Sequence, residues 1–165
     1  MLTTIKTRRS VRQYKEIIPE NADIKKILEA GRWAPSGLNN QPWRFLIIKD
    51  KDIINGLSGF TKYSKIIKGA PVLILVFLDL KASYNRDKDL MAIGASIQNM
   101  LLEAHSLKLG ACWLGEILNK KEDVRKFLKL NKYLELTAVI SLGYPVEKRL
   151  RSNRKPLREL LIKST

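Results

Sequence analysis

The chain has 165 residues, of which 31 are Lys or Arg and 16 are Asp or Glu, so its formal net charge is +15 at pH 7. We expect residues 1–165 to form a single domain, because this length is typical of one domain. With one cysteine and one histidine, the sequence excludes an internal disulfide framework and a zinc site built from Cys and His side chains.

The predicted elements of the first half alternate helices and strands. Proline sets one of the boundaries, because Pro35 disfavours helical geometry in Ala34 and so ends the helix that begins after Pro19. In chain order, the sequence predicts a short helix at 2–8, an extended segment at 11–14, a helix at 21–34, a loop at 34–42, a strand at 43–48, and short helices at 50–57 and 63–68.

The second half contains the most apolar strand and the longest helix. The apolar run 72–78 predicts a buried strand. Small residues between 92 and 96 let other backbone approach the helix predicted at 87–107, so we expect this helix to be the central one. Further strands are predicted at 111–114 and 137–142, and a last helical turn at 156–162.

One more helix has a recognisable start. Asn119 and Glu122 have the spacing of a capping box and predict a helix that ends near Leu130. Helices that alternate with strands are typical of one mixed α/β domain, in which a sheet carries helices on its faces.

The apolar runs are too short for a membrane span. The longest has seven residues, whereas a membrane-spanning helix needs about 20. The basic start of the chain lacks the apolar stretch that a signal peptide requires. We therefore expect no membrane segment and a cytoplasmic location.

The net charge is concentrated at the two ends. Residues 1–15 hold five basic residues and no acidic one, and residues 146–158 hold six basic residues and one acidic one. Composition alone leaves open a solvated basic tail, a nucleic-acid-binding surface and a phosphate site for a small cofactor. Against nucleic acid, neither segment interleaves aromatic with basic residues. In favour of phosphate, guanidinium and hydroxyl donors that match its oxygens are grouped at Arg8, Arg9, Ser10 and Arg12.

The sequence offers no side chain as a clear catalyst. His105 falls near the end of the central helix and Cys112 in a strand, so we interpret both as structural residues. Neither GxGxxG nor GxxxxGK[ST] is present, which excludes a Rossmann and a P-loop phosphate site. A bound cofactor is then the simplest carrier of the chemistry, with the protein positioning it.

Several stretches of the sequence, taken together, resemble the FMN-dependent nitroreductase family. Their order and spacing follow the family over essentially the whole chain. They are RRSVRQY at 8–14, APSGLNNQPWRF at 34–45, ASIQNMLLEA at 95–104, LGACWLG at 109–115, LGYP at 142–145 and RKPL at 154–157. The resemblance implies an α+β (mixed α/β) fold, with a central mixed sheet flanked by helices, in an intertwined homodimer.

The resemblance also assigns residues to an FMN site. It implies that the FMN phosphate and ribityl chain are held by an opening segment, Arg8, Arg9, Ser10 and Arg12. A loop would reach the flavin from the other subunit, with Pro35, Ser36, Gly37 and Asn39, and backbone groups after a strand would pass near flavin N5, at Leu114, Gly115 and Glu116. Two late basic residues, Arg154 and Lys155, would return to the phosphate. No catalytic side chain and no metal are implied, since the flavin carries the chemistry.

For activity, the resemblance implies an FMN-dependent oxidoreductase. Hydride from NADH or NADPH would pass through flavin N5 to an electron-poor small molecule, a nitroaromatic or a quinone, in a ping-pong cycle. Arg12 would stabilise negative charge on the reduced flavin. The implied partner is a second copy of the chain, with FMN at the interface, and nucleic acid is not expected as a partner.

The sequence departs from the family pattern in two places. Only residues 81–86 stand where larger members carry an excursion over the flavin, so we expect an open flavin face with Tyr84 and Arg86 as the side chains available to cover it. Glu116 stands where many relatives have a small residue. The alternatives are a family branch that reduces flavins, removes halogens or consumes the flavin, and a basic nucleic-acid-binding protein with a vestigial flavin site.

Overall fold

A computed structural model of the chain describes residues 1–146 and 152–163. In these ranges the helices are α1 (Leu2–Thr7), α2 (Asn21–Arg32), α3 (Lys51–Ser58), α4 (Ser64–Lys68), α5 (Arg86–Ser106) and α6 (Lys121–Phe127). The strands are β1 (Trp43–Ile48), β2 (Val72–Asp79), β3 (Gly110–Leu114) and β4 (Leu134–Gly143). Short 3-10 turns lie at Gly37–Asn39, Glu116–Lys120 and Leu157–Glu159. None of the helices in the described ranges is long and apolar enough to cross a membrane.

The four strands form one sheet in the order β1-β2-β4-β3, and every neighbouring pair is antiparallel. Trp43 at the start of β1 lies opposite Leu78 near the end of β2. The two edges of the sheet are β1 and β3. The N-terminal segment covers the edge at β3 through an isolated parallel bridge between Ser10 and Ala111. The α+β class predicted from the sequence is confirmed; the sheet, predicted to be mixed, is antiparallel between its four described strands, and parallel pairing is limited to the bridge at Ser10.

Residues 72–78 of β2 are buried because helices cover both faces of the sheet. Since side chains alternate along a strand, Val72 and Ile74 pack on one face, with α2 and α5. Leu73 and Leu75 pack on the other face, with α3, α4 and α6. A continuous apolar run is therefore what this central strand requires.

The long helix α5 is central, as its small residues predict. It packs against α2, and the approach depends on a glycine, because a Cβ at Gly31 would lie 2.7 Å from Met100 Cγ. After α5, Lys108 adopts a left-handed φ of 60° and the chain turns directly into β3. This turn brings β3 back beside the N-terminal segment, where the basic residues lie.

One predicted helix boundary is wrong. The N-cap of α6 is Lys120, which makes no side-chain cap, so Asn119 and Glu122 form no capping box. Asn119 lies instead in the 3-10 turn before α6, which buries Ile117 completely. Burial of that apolar side chain sets the path of the chain here and delays the start of the α-helix. The helix also ends before Leu130.

Candidate functional site

The N-terminal segment is fixed to the edge of the sheet by hydrogen bonds. Val11 N donates to the Ala111 carbonyl at 3.0 Å. Beneath the segment, the buried Tyr14 hydroxyl hydrogen-bonds the Val11 carbonyl and, at 2.7 Å, Ser141 Oγ. Burial raises the pKa of Tyr14, so its phenol stays protonated and the hydrogen bonds persist. The backbone of residues 8–12 is thereby held beside β3.

Basic residues from both ends of the chain line one cavity of about 220 Å³. We call it the basic cavity; it is lined by Arg8, Arg9, Ser10, Arg12, Ser152, Asn153 and Arg154. The structure therefore brings two segments far apart in sequence to one place. Lys155, which the sequence grouped with Arg154, is exposed and does not line the cavity. Three other basic residues of the C-terminal segment lie outside the described residues, namely Lys148, Arg149 and Arg151.

The positive charges in the basic cavity repel one another. Burial lowers the pKa of Arg8, and the charges of Arg154 and Arg9 lower it further. In the part of the chain that the structure describes, no carboxylate forms an ion pair with Arg8, Arg12 or Arg154. Arg9 is oriented by the carbonyls of Lys6 and Arg8, at 2.7 and 2.8 Å. An anion with several oxygens would offset this repulsion and accept hydrogen bonds from several guanidiniums.

Another group of predicted site residues, Leu114 to Glu116, begins at the last residue of β3. Leu114 is buried, whereas Gly115 is exposed and a Cβ there would meet no heavy atom within 4 Å. Glu116 accepts hydrogen bonds from Thr61 Oγ1 at 2.6 Å and Lys62 N at 2.9 Å, and these two bonds lower its pKa. The carboxylate thus anchors a neighbouring loop, and it is the Gly115 backbone that is open to a ligand.

The predicted site residues Pro35, Ser36, Gly37 and Asn39 lie in the loop of residues 35–41, which we call the 35–41 loop. Three of its non-glycine residues have positive φ, at 54°, 53° and 45°, and they are Leu38, Asn39 and Gln41. Such conformations are strained and persist only where the surroundings fix them. Ser36 Oγ accepts from Gln41 N at 3.0 Å, and a Cβ at Gly37 would lie 1.9 Å from Tyr84 Oη. The Tyr84 ring therefore occupies the space that a side chain at position 37 would take.

Within one chain, the 35–41 loop and the basic cavity belong to opposite edges of the sheet. The loop leads into β1, and the basic cavity lies beside β3, with β2 and β4 between them. At 4.7–4.9 Å per strand, these edges are about 14 Å apart. The loop packs instead against the segment before α5, where Tyr84 lies. One chain therefore does not bring all of the predicted site residues together.

His105 and Cys112 occupy structural positions next to the basic cavity. His105 lies in the last turn of α5, and its Nε2 is 2.9 Å from Thr7 Oγ1. Burial lowers the pKa of His105, and the charges of Arg8 and Arg9 lower it further. Cys112 is buried in the core, and burial raises the pKa of its thiol. The positions predicted from the sequence, a helix end for His105 and a buried strand for Cys112, are confirmed.

Sequence reasoning missed one polar group near the 35–41 loop and two sets of apolar ones. Asp89 is fully buried and accepts hydrogen bonds from both the loop and the segment before α5. A polar residue on the buried face of a central helix was the signal available. Large apolar side chains are exposed on the body of the chain at Trp33, Leu38 and Met91, and in the C-terminal segment at Leu157, Leu160, Leu161 and Ile162.

The fold and the basic cavity define a class of protein, an α+β domain with a cavity lined by basic residues at the edge of an antiparallel sheet. The sequence matches the model of the nitroreductase family over residues 5–62 and 58–144. The chain belongs to the nitroreductase family, whose members are oxidoreductases.

Individual relatives span most of the chain. A Methanothermobacter thermautotrophicus protein assigned as an NADH dehydrogenase/NAD(P)H nitroreductase is 36% identical over 152 residues, which cover 89% of this chain and 78% of the relative. An iodotyrosine deiodinase of Thermotoga neapolitana is 30% identical over 85% of this chain and 86% of its own. Among solved structures, a Desulfovibrio desulfuricans protein assigned as a nitroreductase and crystallised with FMN is 47% identical, with a TM-score of 0.95 over 99% of this chain and 96% of that one.

Proposed function

We propose that the protein is an FMN-dependent oxidoreductase that uses NADH or NADPH to reduce an electron-poor small molecule, a nitroaromatic or a quinone. The observation that carries the proposal is the basic cavity, where guanidiniums from both ends of the chain converge; among the described residues, Arg8, Arg12 and Arg154 form no ion pair with a carboxylate. A phosphate dianion fits this donor set, because arginine binds phosphate oxygens with paired N–H groups. The FMN complex of the Desulfovibrio desulfuricans relative supports the choice of phosphate ligand.

The residues of the basic cavity would bind the phosphate of FMN. Arg8, Arg12 and Arg154 supply guanidinium donors, and Ser10 supplies a hydroxyl. Ser10 is bridged to Ala111 at the start of β3, and the open Gly115 lies just beyond the end of that strand. From residue 111 to residue 115 an extended strand spans about 13 Å, which leaves room for a ribityl chain to run along β3 from the phosphate to the flavin ring.

FMN bound by these residues would supply the redox chemistry, the transfer of hydride from a nicotinamide to the acceptor. The chain contributes binding and electrostatics. Arg12 lines the basic cavity, so its positive charge would act at the phosphate end of FMN and not at the flavin ring. The net charge of +15 would also attract the anionic nicotinamide nucleotides and raise their rate of association.

We propose that the active form is a homodimer with FMN at the interface. Since the 35–41 loop lies at the opposite edge of the sheet from the basic cavity, a second copy has to bring its loop to the flavin. The exposed Trp33, Leu38 and Met91 support such an interface, since large exposed apolar side chains often mark contacts between proteins. Leu38, which is 85% exposed, belongs to the loop itself.

A second candidate reaction is reductive removal of a halogen from an aromatic ring. The similarity to the Thermotoga neapolitana deiodinase, at 30% identity over most of both chains, favours it. It would use the same FMN site and differ in the acceptor. Parallel assays with a nitroarene and with iodotyrosine separate the two reactions, since only a dehalogenase releases iodide.

The direct test is reconstitution of the purified protein with FMN. We expect one FMN per chain, quenched flavin fluorescence, and loss of the absorbance of oxidised flavin when NADH or NADPH is mixed in under anaerobic conditions. Addition of a nitroarene or a quinone should restore that absorbance. A protein that binds no FMN but retards RNA at moderate salt would contradict the proposal and favour a nucleic-acid-binding function.

A further inference from the structure

Asp89 is a buried carboxylate that lies outside the basic cavity, in the first turns of α5. One carboxylate oxygen, Oδ2, accepts from Ser83 Oγ at 2.6 Å, Tyr84 N at 3.1 Å and Asn85 N at 3.4 Å. The other, Oδ1, accepts from Asn40 Nδ2 at 2.7 Å. A single side chain therefore joins the segment before α5 to the 35–41 loop.

The orientation of the Asn40 amide is fixed by these contacts. Its Nδ2 also donates to the carbonyl of Ala82 at 3.0 Å, so a flipped amide would point its oxygen at two acceptors. Asn40 lies between Asn39 and Gln41, both of which have positive φ. The link from Asp89 therefore holds the loop at its strained part.

The hydrogen bonds keep Asp89 ionised. Burial by itself raises the pKa of Asp89, but the bonds from Ser83, Asn40 and the backbone of residues 84–85 outweigh it and hold the pKa below its ordinary value. A buried carboxylate with this many donors is costly to disturb, because each donor left without an acceptor loses a charge-assisted bond. At neutral pH Asp89 therefore remains an ionised acceptor for all of these donors.

We propose that Asp89 is a positioning residue for the flavin site. Through Asn40 it holds the 35–41 loop in the conformation that the loop presents to the flavin of a second copy. The inference rests on the proposed function, since it needs FMN at the interface and the loop beside it. It adds a residue outside the segments that resemble the family, one that touches neither the basic cavity nor its ligand.

A variant of Asp89 and a variant of one of its hydrogen-bond donors, Ser83, together test the proposal. In Asp89→Asn, the amide oxygen can still accept from Ser83 and the backbone, but the amide NH₂ now faces Asn40 Nδ2, donor against donor. Ser83→Ala, the matched control, removes one bond to Asp89 and leaves the link to Asn40 intact. FMN affinity is measured by fluorescence titration, and far-UV circular dichroism and thermal unfolding are recorded to show that each variant folds.

We expect Asp89→Asn to weaken FMN binding about tenfold and Ser83→Ala by no more than about twofold, although both variants lower thermal stability. Asn40→Ala removes the loop side of the link without altering α5 and should match Asp89→Asn, which keeps the test valid if the latter fails to fold.

The possible failures differ. Wild-type protein that binds no FMN would overturn the proposed function and this inference with it. Wild-type protein that binds FMN, with Asp89→Asn and Asn40→Ala no weaker than Ser83→Ala, would overturn the positioning role alone and leave the proposed function standing.

Discussion

The basic cavity and the 35–41 loop are built in opposite ways. In the cavity, like charges are crowded and burial makes the charge on Arg8 costlier, while the backbone beneath is held by the neutral pair Tyr14 and Ser141. In the loop, the side chains are mostly neutral and the backbone is strained, and it is held by the buried charge of Asp89.

The difference separates a region that responds to a ligand from one that is shaped in advance. An anion relieves the repulsion in the basic cavity, so binding there should stabilise the folded chain. The strain of the loop is offset by hydrogen bonds within the chain, whatever binds beside it. Variants in the cavity should therefore change ligand binding more than folding, and variants in the loop should change folding directly.

The largest effect is expected in the basic cavity. Arg8→Ala with Arg12→Ala removes two guanidiniums, and we expect FMN affinity to fall about 100-fold or more, since hydrogen bonds to charged groups contribute about 1.5–3 kcal/mol each. Thermal stability without FMN should be unchanged or higher, because Arg8 no longer repels Arg154 and Arg9. Fluorescence titration and thermal unfolding measure the two quantities.

Lys65→Ala with Lys68→Ala is the matched control for this double variant. It makes the same change in net charge on the exposed surface of α4, away from the cavity lining. FMN bound with wild-type affinity by the arginine double variant would show that the phosphate lies elsewhere. Equal losses in both double variants would reduce the role of the arginines to net charge.

The loop is probed at Gly37, where the constraint is steric. No glycine in the described ranges has a positive φ, so alanine fits the backbone, but its Cβ would lie 1.9 Å from Tyr84 Oη and 2.7 Å from Cζ. Gly37→Ala should lower the free energy of unfolding by about 1 kcal/mol, since the end of the half-exposed Tyr84 side chain can shift at less cost than a packed core. Adding Tyr84→Ala should restore most of that loss, which denaturant titrations of the single and double variants measure as a coupling. Additive effects of the two changes would mean that the ring simply rotates into solvent.

The elements that the sequence predicts well are those with a local cause. The seven-residue apolar run predicts a strand buried on both faces, and the proline at position 35 ends α2 close to its observed end at Arg32. The capping box failed because its spacing is also compatible with a 3-10 turn, and burial of Ile117 decided between the two. A contact with a distant part of the chain carries no local signal.

The same limit applies to the site. The basic residues at the two ends are visible in the sequence, and the family resemblance suggests that they meet, which the cavity lining now shows for Arg8, Arg9, Arg12 and Arg154. Arg86, expected as a possible cover for the flavin, is instead paired with Glu135 at 2.8 Å. Glu135 lies in β4, far from Arg86 in sequence, and only the fold brings the two side chains together. The link between Asp89 and Asn40 could not be predicted for the same reason.

The smallest effect expected is a shift in the titration of His105, which reports on the cavity without altering it. The chain has one histidine, so its imidazole signal in proton NMR needs no assignment. The pKa of His105 is lowered by burial and by Arg8 and Arg9, and the neutral ring therefore stabilises the fold above the ordinary histidine value of about 6.5, a contribution lost as the pH falls. Inorganic phosphate or FMN in the basic cavity should offset the two arginines and raise the pKa of His105. Riboflavin, which lacks the phosphate, is the control and should leave the titration unchanged; an equal shift with riboflavin would mean that the ligand acts through the ring and not through the charge of the phosphate.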